Sequence, residues 1–239
     1  MDTKESVPGE RMNNFTRRDF LKGVGMGGGA LVLFGEFGVH SAAWALSGEP
    51  VLKMVLVDYA NCTGCRTCET ACSSRNRPAS VGAKQLPGLG NPRYANIRVH
   101  GFNPDVDVPI VCAMCADAPC VRACPVEPER KSGRRALYRD PATRTIRNDV
   151  DRCLGCRSCA AACASKRTGT LAPNPETGKP ERICTLCGGD PHCVKRCPFG
   201  ALSYVEVRRG RKFYGLGPDK IAAQLAAGWY GTADFGGVR

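Results

Sequence analysis

The chain has 239 residues and a formal net charge of +12, and 16 of its residues are cysteines. Its apolar fraction of 43% is that of a chain that folds, which excludes a disordered polypeptide. A cysteine content this high is typical of disulfide scaffolds or of proteins whose cores are built around metal, and the spacing of the cysteines has to separate the two.

The first part of the chain, residues 1–45, is predicted to be an export signal. Its segment TRRDFLK contains Arg17 and Arg18 and resembles the twin-arginine motif. A glycine-rich run follows at 23–39, and residues 43–45, Ala-Trp-Ala, form a small-x-small cleavage site. The alternative is an amphipathic N-terminal helix with two adjacent arginines by chance. We therefore expect the twin-arginine export machinery as a partner. Since that route carries folded proteins out of the cytoplasm, we expect this protein in the periplasm, soluble or peripheral to the cytoplasmic membrane.

Short strands are predicted beside the cysteines. One strand at residues 51–57 precedes the first cysteines, and another at 201–207 follows the last ones. Residues 135–138 and 145–147 form two more strands around a turn at 140–143, in the middle of the chain. The cysteines lie in four groups along the chain. The strand positions indicate that the two middle groups belong to one unit and that the first and last groups belong to a second unit.

Two longer segments are predicted to be loops. Residues 78–92, rich in proline and glycine, form an insertion that is followed by a strand at 94–100. Residues 164–183 are similar loop material. Loops of this kind are natural docking surfaces for partners.

A helix is predicted at residues 218–227, near the end of the chain. Pro218 suits its first turn, and Gly228 is expected to stop it. Ile221 and Leu225 lie on one face, which is expected to pack on the protein's own domain rather than on a partner.

The cysteines fall into four sets of four, and each set ends in two cysteines separated by three residues. Sets one and three have the spacing Cys-x2-Cys-x2-Cys-x3-Cys, whereas sets two and four have longer gaps before their third cysteine and end in Cys-Pro. In chain order the sets are Cys62, Cys65, Cys68 and Cys72; Cys112, Cys115, Cys120 and Cys124; Cys153, Cys156, Cys159 and Cys163; and Cys184, Cys187, Cys193 and Cys197. The match of one with three and of two with four indicates an internal duplication.

Set two, a strand pair and set three together resemble a two-cluster bacterial ferredoxin. In such ferredoxins one loop supplies three thiolates to a 4Fe-4S cubane, and the fourth cysteine of the run ligates the other cluster. The resemblance therefore implies iron ligation by all sixteen cysteines in four groups: Cys112, Cys115, Cys120 and Cys163; Cys153, Cys156, Cys159 and Cys124; Cys62, Cys65, Cys68 and Cys197; Cys184, Cys187, Cys193 and Cys72.

The expected fold class is α+β, with two ferredoxin-like two-cluster modules produced by duplication. Small sheets and short helices surround four cubane clusters, and much of the chain is loop. The four-cluster domain covers 46–239, with an inner module at about 108–165 and an outer module at about 50–75 plus 180–210. Residues 211–239 form a C-terminal extension.

Other uses of the cysteines remain open. Zinc ribbons use Cys-x2-Cys pairs, but a third cysteine two residues on and a cysteine followed by proline are not zinc-ribbon features. Eight disulfides require bridges between cysteines that are too close in sequence to pair easily with each other. Cubane clusters use every cysteine once and account for the fourfold repetition.

The positive charge does not indicate a nucleic-acid partner. Four oxidised clusters on sixteen thiolates contribute about −8, which leaves a net charge of about +4. Arginines and lysines near the cysteine loops then compensate buried negative charge, and the Arg-rich stretch at 208–212 needs no phosphate contact. We expect no nucleic acid among the partners.

Candidate catalytic groups are scarce. His100 and His192 lie outside the ligand positions, and His192 is expected in a loop from which it hydrogen-bonds near a sulfur. The sequence has no nucleophile-base pair and no phosphate-binding glycine loop, so no catalytic residue is assigned. The sequence therefore predicts no substrate site in this chain.

Over residues 51–207 the four sets resemble the iron-sulfur subunits of the dimethyl sulfoxide reductase family and its relatives. The compact fourth set, CTLCGGDPHC, is similar to the shorter subunits found with formate hydrogenlyases and tungsten-dependent aldehyde oxidoreductases. The resemblance implies a molybdenum- or tungsten-pterin catalytic subunit as partner, which a membrane anchor or a quinone or cytochrome partner can accompany.

The sequence leaves three functions to compare. The first is a dedicated electron-transfer subunit that relays single electrons to or from a molybdo- or tungstopterin catalytic subunit. The second is a free periplasmic carrier of the polyferredoxin type. The third is a structural zinc-binding adaptor, which metal analysis distinguishes from the other two.

Overall fold

The structure is a computed structural model, and it describes residues 51–102, 105–207 and 211–231. The predicted export signal at 1–45 and the end of the C-terminal extension lie outside the described residues. Everything described belongs to one unit, Pro50–Arg239. In the described ranges no helix is long and apolar enough to span a membrane.

Helices in the described residues carry the third cysteine of each set. α1 and α3 hold the last two cysteines of sets one and three, whereas α2 and α4 are single turns that end just before the fourth cysteine of sets two and four. The five helices of the described ranges are α1 (Thr67–Asn76), α2 (Pro119–Arg122), α3 (Ser158–Lys166), α4 (His192–Lys195) and α5 (Pro218–Tyr230). The x3 spacing thus places the fourth cysteine one helical turn beyond the third.

The strands of the described residues form five separate antiparallel pairs. The pairs are β1 (Leu52–Val57) with β10 (Leu202–Val207), β2 (Ala79–Val81) with β3 (Lys84–Leu86), β4 (Arg98–Phe102) with β5 (Val106–Ile110), β6 (Leu137–Arg139) with β7 (Ile146–Asn148), and β8 (Ala172–Pro173) with β9 (Pro180–Glu181). The mixture of short helices and small sheets agrees with the predicted α+β class, and much of the chain is irregular.

Two predicted strand pairs are confirmed. β1 and β10, at opposite ends of the cysteine-bearing region, pair from Leu52 opposite Val207 to Val57 opposite Leu202. β6 pairs with β7 around a turn in which the Asp140 carboxylate accepts two backbone hydrogen bonds, an Asx-type turn. The β1–β10 pair brings the start of set one beside the end of set four.

The strand predicted at 94–100 starts too early. Pro92–Tyr94 forms a 3₁₀ turn, because the Asn91 side chain accepts a hydrogen bond from the Arg93 N–H and Pro92 suits the first position of the turn. The strand is Arg98–Phe102, and its partner β5 was not predicted. The predicted loops also contain short hairpins, β2–β3 in the insertion and β8–β9 in the second loop.

The C-terminal helix is longer than predicted, and Gly228 does not stop it. α5 continues to Tyr230 and ends at Gly231, whose φ of 70° is the left-handed conformation that terminates helices. Ile221 and Leu225 are buried, as predicted, in a cluster with residues of β5. The helix therefore packs on its own domain.

The buried core lies around the cysteines. One cluster joins apolar residues of β1, β10 and the β4 region to cysteines of sets one, two and four, and a second joins α2, α3 and the β6–β7 pair to cysteines of sets two and three. Cysteines therefore take the central positions that large aliphatic side chains occupy in an ordinary small domain.

Candidate metal centres

All sixteen cysteines lie in the described residues, and all are free thiols. No two of these cysteines form a disulfide, so the structure does not support the disulfide interpretation. Across residues 51–102, 105–207 and 211–231, no three His, Cys, Asp or Glu side chains meet closely enough to hold one single metal ion. The thiols instead surround small cavities.

Three cavities are each lined by four thiols, three from one set and the fourth from another. We number the thiol sites by their order in space: site 1 contains Cys62, Cys65, Cys68 and Cys197; site 3 contains Cys112, Cys115, Cys120 and Cys163; site 4 contains Cys153, Cys156, Cys159 and Cys124. In each cavity the fourth thiol comes from the set that the ferredoxin resemblance implies.

The remaining four cysteines form site 2. Cys72, Cys184 and Cys193 belong to one buried cluster, in which α1 packs against α4. Burial, followed by the charges of Cys72 and Cys187, raises the pKa of Cys193 to about 12. Burial also raises the pKa of Cys184, and the charges of Cys193 and Cys72 contribute to this rise. Cys72, from set one, therefore lies with the three thiols of set four.

Left-handed backbone turns shape the loops of sets one and three. Gly64 and Arg66 have φ of 67° and 57°, and the matching Gly155 and Arg157 have φ of 65° and 63°. A Cβ on Gly155 would lie 2.2 Å from the Thr177 carbonyl oxygen, so this glycine is needed for space as well as for its backbone conformation. The same Cys-x-Gly-Cys-Arg geometry thus curls both loops around a cavity.

The donor set fits an iron-sulfur cluster. Each cavity presents four sulfur atoms, and cysteine thiolates are the usual ligands of 4Fe-4S cubanes. Backbone N–H groups already point at the sulfurs: Asn96 donates to Cys72 Sγ at 3.3 Å, and Leu186 donates to Cys184 Sγ at 3.4 Å. Hydrogen bonds of this kind favour the charged thiolate that a metal requires.

Neighbouring thiols link the sites in a row. Burial, followed by the charges of Glu69 and of Cys193 in site 2, raises the pKa of Cys68 in site 1 to about 12. Cys112 of site 3 likewise adds to the burial effect that raises the pKa of Cys184 in site 2. Burial raises the pKa of Cys120 in site 3 to about 12, with a contribution from Cys159 of site 4. The packing agrees, because one buried cluster contains thiols of sites 1, 2 and 3 and another contains thiols of sites 3 and 4, so the order in space is site 1, site 2, site 3, site 4.

Both ends of this row reach the surface. Cys65 of site 1 and Cys156 of site 4 are the exposed cysteines of the chain. Hydrogen bonding with Ser158 lowers the pKa of Cys156. For Cys65 partial burial opposes the change, but hydrogen bonds with Thr67 outweigh it and the pKa is lowered.

Known proteins with similar sequences are electron-transport proteins by name, although no family model matches the chain. The chain is 34% identical over 144 residues to the aliphatic sulfonate oxidoreductase, polyferredoxin-like subunit, of Pyrococcus furiosus, a match that covers 60% of this chain and 70% of the relative. It is 30% identical to the putative electron transport protein YsaA of Escherichia coli, over 66% of this chain and 92% of that protein. The electron transport protein HydN of Escherichia coli is also 30% identical, over 64% and 88%. The chain belongs to the polyferredoxin-like electron-transport proteins.

Among solved structures, a chain of the active site complex BamBC of benzoyl coenzyme A reductase aligns with this polyferredoxin-like protein. The alignment covers 76% of this chain and 93% of that one, with 23% identity and a TM-score of 0.34. The family assignment rests on the sequence relatives.

Sequence reasoning expected arginines and lysines near the cysteine loops of this polyferredoxin-like protein but did not identify which ones lie beside the thiol sites. Arg167 Nη2 lies 2.6 Å from Asp117 Oδ2, and both Arg167 and Arg182 line the cavity of site 3. The hydrogen bond to Asp117 raises the pKa of Arg167, and the thiol of Cys115 contributes to the same shift. Arg139 also donates a hydrogen bond to the Cys115 carbonyl oxygen. Three arginines and one carboxylate, Asp117, therefore lie beside site 3, which leaves an excess of positive charge there.

A buried carboxylate distinguishes the other half of this polyferredoxin-like protein. Glu69 is fully buried next to Cys68, and its Oε1 accepts a hydrogen bond of 2.7 Å from the Val99 N–H. Within the described residues its Oε2 has no hydrogen-bond partner. In the sequence, Glu69 is recognisable only as the residue that follows Cys68, a cysteine in a ligand position. The residues around it do not predict that its side chain points inward to β4.

Two further residues clarify the surroundings of the sites. His192 begins α4 rather than lying in a loop, and its side chain lines an open groove together with Arg75 of α1 and Arg196, the residue that follows α4. Tyr214, from the C-terminal extension, accepts a hydrogen bond of 3.2 Å from the Ala116 N–H, next to Cys115. The extension of this polyferredoxin-like protein therefore covers one side of site 3.

Proposed function

We propose that this protein relays single electrons through four 4Fe-4S clusters, one at each thiol site, to or from the catalytic subunit of an oxidoreductase. The observation that carries the proposal is the cavity lined by three thiols of one set and a fourth from another set, which recurs at sites 1, 3 and 4. When bound, each cluster supplies a centre that gains or loses one electron at a time.

The contribution of the protein is to hold these centres in a row and to set their potentials. Buried thiols and apolar side chains around sites 2 and 3 exclude water, and the exposed Cys65 and Cys156 give the two ends of the row access to partners. Arg167 beside site 3 favours added negative charge, whereas Glu69 beside site 1 opposes it. We therefore expect the highest potential of the row at site 3.

The proposed partner is a molybdenum- or tungsten-pterin catalytic subunit, on the basis of the family resemblance. The relatives include proteins named for an aliphatic sulfonate oxidoreductase, an NADH-dependent phenylglyoxylate dehydrogenase and a hydrogenase-2 operon, which supports an oxidoreductase partner of some kind. A membrane anchor or a quinone or cytochrome partner would connect such a complex to a respiratory chain.

Metal analysis tests the cofactor. The protein purified without oxygen should contain about sixteen iron and sixteen acid-labile sulfide per chain, and its visible absorbance should bleach with dithionite. Zinc in place of iron, or a colourless protein that gives no spectral change with reductant, would contradict the proposal and favour the structural adaptor.

Purification from the native host tests the partner. A stable larger subunit containing molybdenum or tungsten supports the dedicated electron-transfer subunit. A monomer that exchanges electrons with several unrelated proteins supports the free periplasmic carrier instead. Copurification with a large subunit that lacks both metals would keep the relay and overturn the pterin partner.

Cell fractionation tests the proposed location. The protein should reach the periplasm with its iron bound, and replacing both Arg17 and Arg18 by lysine should retain it in the cytoplasm, because the adjacent arginines are the recognition feature of that export route. Replacing Arg11 by lysine in the same segment is the matched control and should leave export unchanged. Equal export of all three proteins would overturn the assignment.

A further inference from the structure

An open groove lies on the surface formed by α1, α4 and the β2–β3 insertion. Its lining includes donor groups of two arginines and a histidine, with a serine and a glutamine between them: Ser74, Arg75, Gln85, His192 and Arg196. Leu86 and Pro87 of the insertion supply an apolar wall. No carboxylate is among these described lining residues, so the groove offers hydrogen-bond donors to an anion.

The surface around the groove carries an excess of positive charge. Residues 70–104 contain Arg75, Arg77, Lys84, Arg93 and Arg98 and no aspartate or glutamate. The nearby Asp190 binds Lys195 Nζ at 2.7 Å and also interacts with the charge of Arg75, but this one carboxylate is outnumbered by Arg75, Arg196 and Lys195. A surface with an excess of one charge attracts an oppositely charged partner over a distance of about 10 Å at ordinary ionic strength.

Exposed apolar side chains accompany this charge. Leu89 is fully exposed at 101%, Val81 is exposed at 62%, and Leu86 and Tyr94 are each exposed at 45%. All four belong to the insertion between sets one and two or to its end. Apolar residues surrounded by basic ones on a protruding hairpin are typical of a surface that binds another protein transiently.

The groove lies directly over site 2. Its two helices carry Cys72 and Cys193, which are both 6% exposed and face the core. Asn76, one turn after Cys72 in α1, donates a hydrogen bond to the Cys72 sulfur at 3.4 Å. A protein seated in the groove would therefore be separated from site 2 by little more than the thickness of these two helices.

We infer that the groove is the docking site of an acidic electron-carrier protein, whose carboxylates bind Arg75 and Arg196 while its apolar surface covers Leu86 and Leu89. The reduced carrier loses one electron and a cluster at site 2 gains it, with no bond formed or broken and no proton transferred. The row of sites would then have a lateral entrance in addition to its two ends. This inference rests on the proposed function, since it requires a redox centre at site 2.

Stopped-flow reduction by a photoreduced acidic two-cluster ferredoxin tests the inference. The rate constant of the wild-type holoprotein should fall steeply with ionic strength. The double variant Arg75→Gln, Arg196→Gln should react about tenfold more slowly at low salt and show a weaker salt dependence, because steering by charge contributes about 10-fold to 1,000-fold to such rates. The double variant Arg130→Gln, Lys131→Gln removes the same charge from an exposed segment after Cys124 and should stay within about twofold of wild type.

A second measurement does not depend on the variants. Carbodiimide coupling of the wild-type pair should join carboxylates of the ferredoxin to Lys84 or Lys195, the chain neighbours of the groove residues Gln85 and Arg196. Coupling only to Lys131, Lys179 or Lys220 would overturn the inference. In the stopped-flow experiment, equal rates for both double variants would overturn it as well. Slowing by phosphate beyond that caused by chloride of equal ionic strength would assign the groove to a small anion instead.

Failure of the inference is distinguishable from failure of the proposed function. If the docking site is wrong but the relay is right, every protein will contain iron and bleach with dithionite while the variants react with the ferredoxin like wild type. If the relay is wrong, the wild-type protein will lack iron and will not bleach.

Discussion

Arg167 and Asp117 form an ion pair of 2.6 Å although fifty residues separate them in sequence, and the pair lies beside the thiol of Cys115. The guanidinium is oriented by the carboxylate, and the arginine side chain passes so close to Gly215 of the C-terminal extension that a Cβ there would lie 3.1 Å from Arg167 Cδ. A second arginine, Arg122, binds the same carboxylate at 3.1 Å but is 67% exposed. The two arginines thus share a partner and differ in their proximity to site 3.

Replacing Arg167 by glutamine should lower the midpoint potential of the centre at site 3. The neutral side chain no longer stabilises the added electron, and a loss of about 1–2 kcal/mol corresponds to about 40–90 mV for a one-electron couple. A redox titration followed by electron paramagnetic resonance measures the change. Arg167→Lys, which keeps the charge, should recover most of the potential.

The matched control for this prediction is Arg122→Gln. It removes a charge from the same carboxylate at an exposed position, so the potential at site 3 should move by no more than about 10 mV. Equal shifts in the Arg122 and Arg167 variants would mean that the effect comes from general surface charge.

The fourth thiol of sites 3 and 4 comes from a different set than the other three, and this arrangement gives a second prediction. Cys163→Ser should alter the same spectral component as Cys115→Ser, because both thiols line the cavity of site 3. Cys124→Ser should alter the component that Cys156→Ser alters, because those thiols line site 4. Electron paramagnetic resonance of the reduced variants compares the components. The ligand groups are wrong if Cys163→Ser instead matches Cys156→Ser, its neighbour within one set.

Spacing and alternation in the sequence were enough to predict the β1–β10 and β6–β7 pairs. Those features repeat along the chain, and each repetition supports the others. The strand β5 was missed although Val106, Val108 and Ile110 alternate, because Pro109 reads as a strand breaker. Pro109 is tolerated because β5 pairs with β4 alone in its two-stranded sheet.

The charged residues around the sites were not predictable from local pattern. Arg167 lies in a loop after set three, and only the fold brings it to Asp117 in set two. Gly231 rather than Gly228 ends α5: both residues are compatible with a helix stop, but it is Gly231 that takes the left-handed conformation, with φ of 70°. Residues whose roles depend on contacts distant in sequence leave no periodic signal.

Glu69 provides a third prediction, on stability. Glu69→Ala leaves the buried Val99 N–H without its acceptor and detaches α1, which carries Cys68 and Cys72, from β4. The expected cost is about 1–3 kcal/mol of unfolding free energy, which corresponds to a decrease of about 2–4 °C in Tm per kcal/mol. Thermal unfolding followed by circular dichroism measures it. Glu69→Gln retains an acceptor oxygen for Val99 and should lose less than half as much; equal losses would show that the hydrogen bond is not the cause.

Two glycines with nearly the same backbone conformation give the last prediction. Gly155 and Gly133 have φ of 65° and 66°, but a Cβ on Gly155 would lie 2.2 Å from the Thr177 carbonyl oxygen, whereas nothing lies within 4 Å of a Cβ on Gly133. Gly133→Ala should therefore cost only the left-handed conformation, about 1–2 kcal/mol. Gly155→Ala should cost about 1–3 kcal/mol more, because the β8–β9 hairpin must move away from the loop of set three.

The two alanine variants differ in their effect on metal as well as on stability. Displacement of the set three loop moves Cys153 and Cys156 relative to Cys124, so Gly155→Ala should lose iron to a chelator faster than wild type. Gly133→Ala lies in a turn without a ligand-position cysteine and should retain iron like wild type. Because both variants carry the same backbone penalty, a faster loss in Gly155→Ala alone isolates the close approach of the hairpin to the loop, and equal loss in both would attribute the defect to the φ angle.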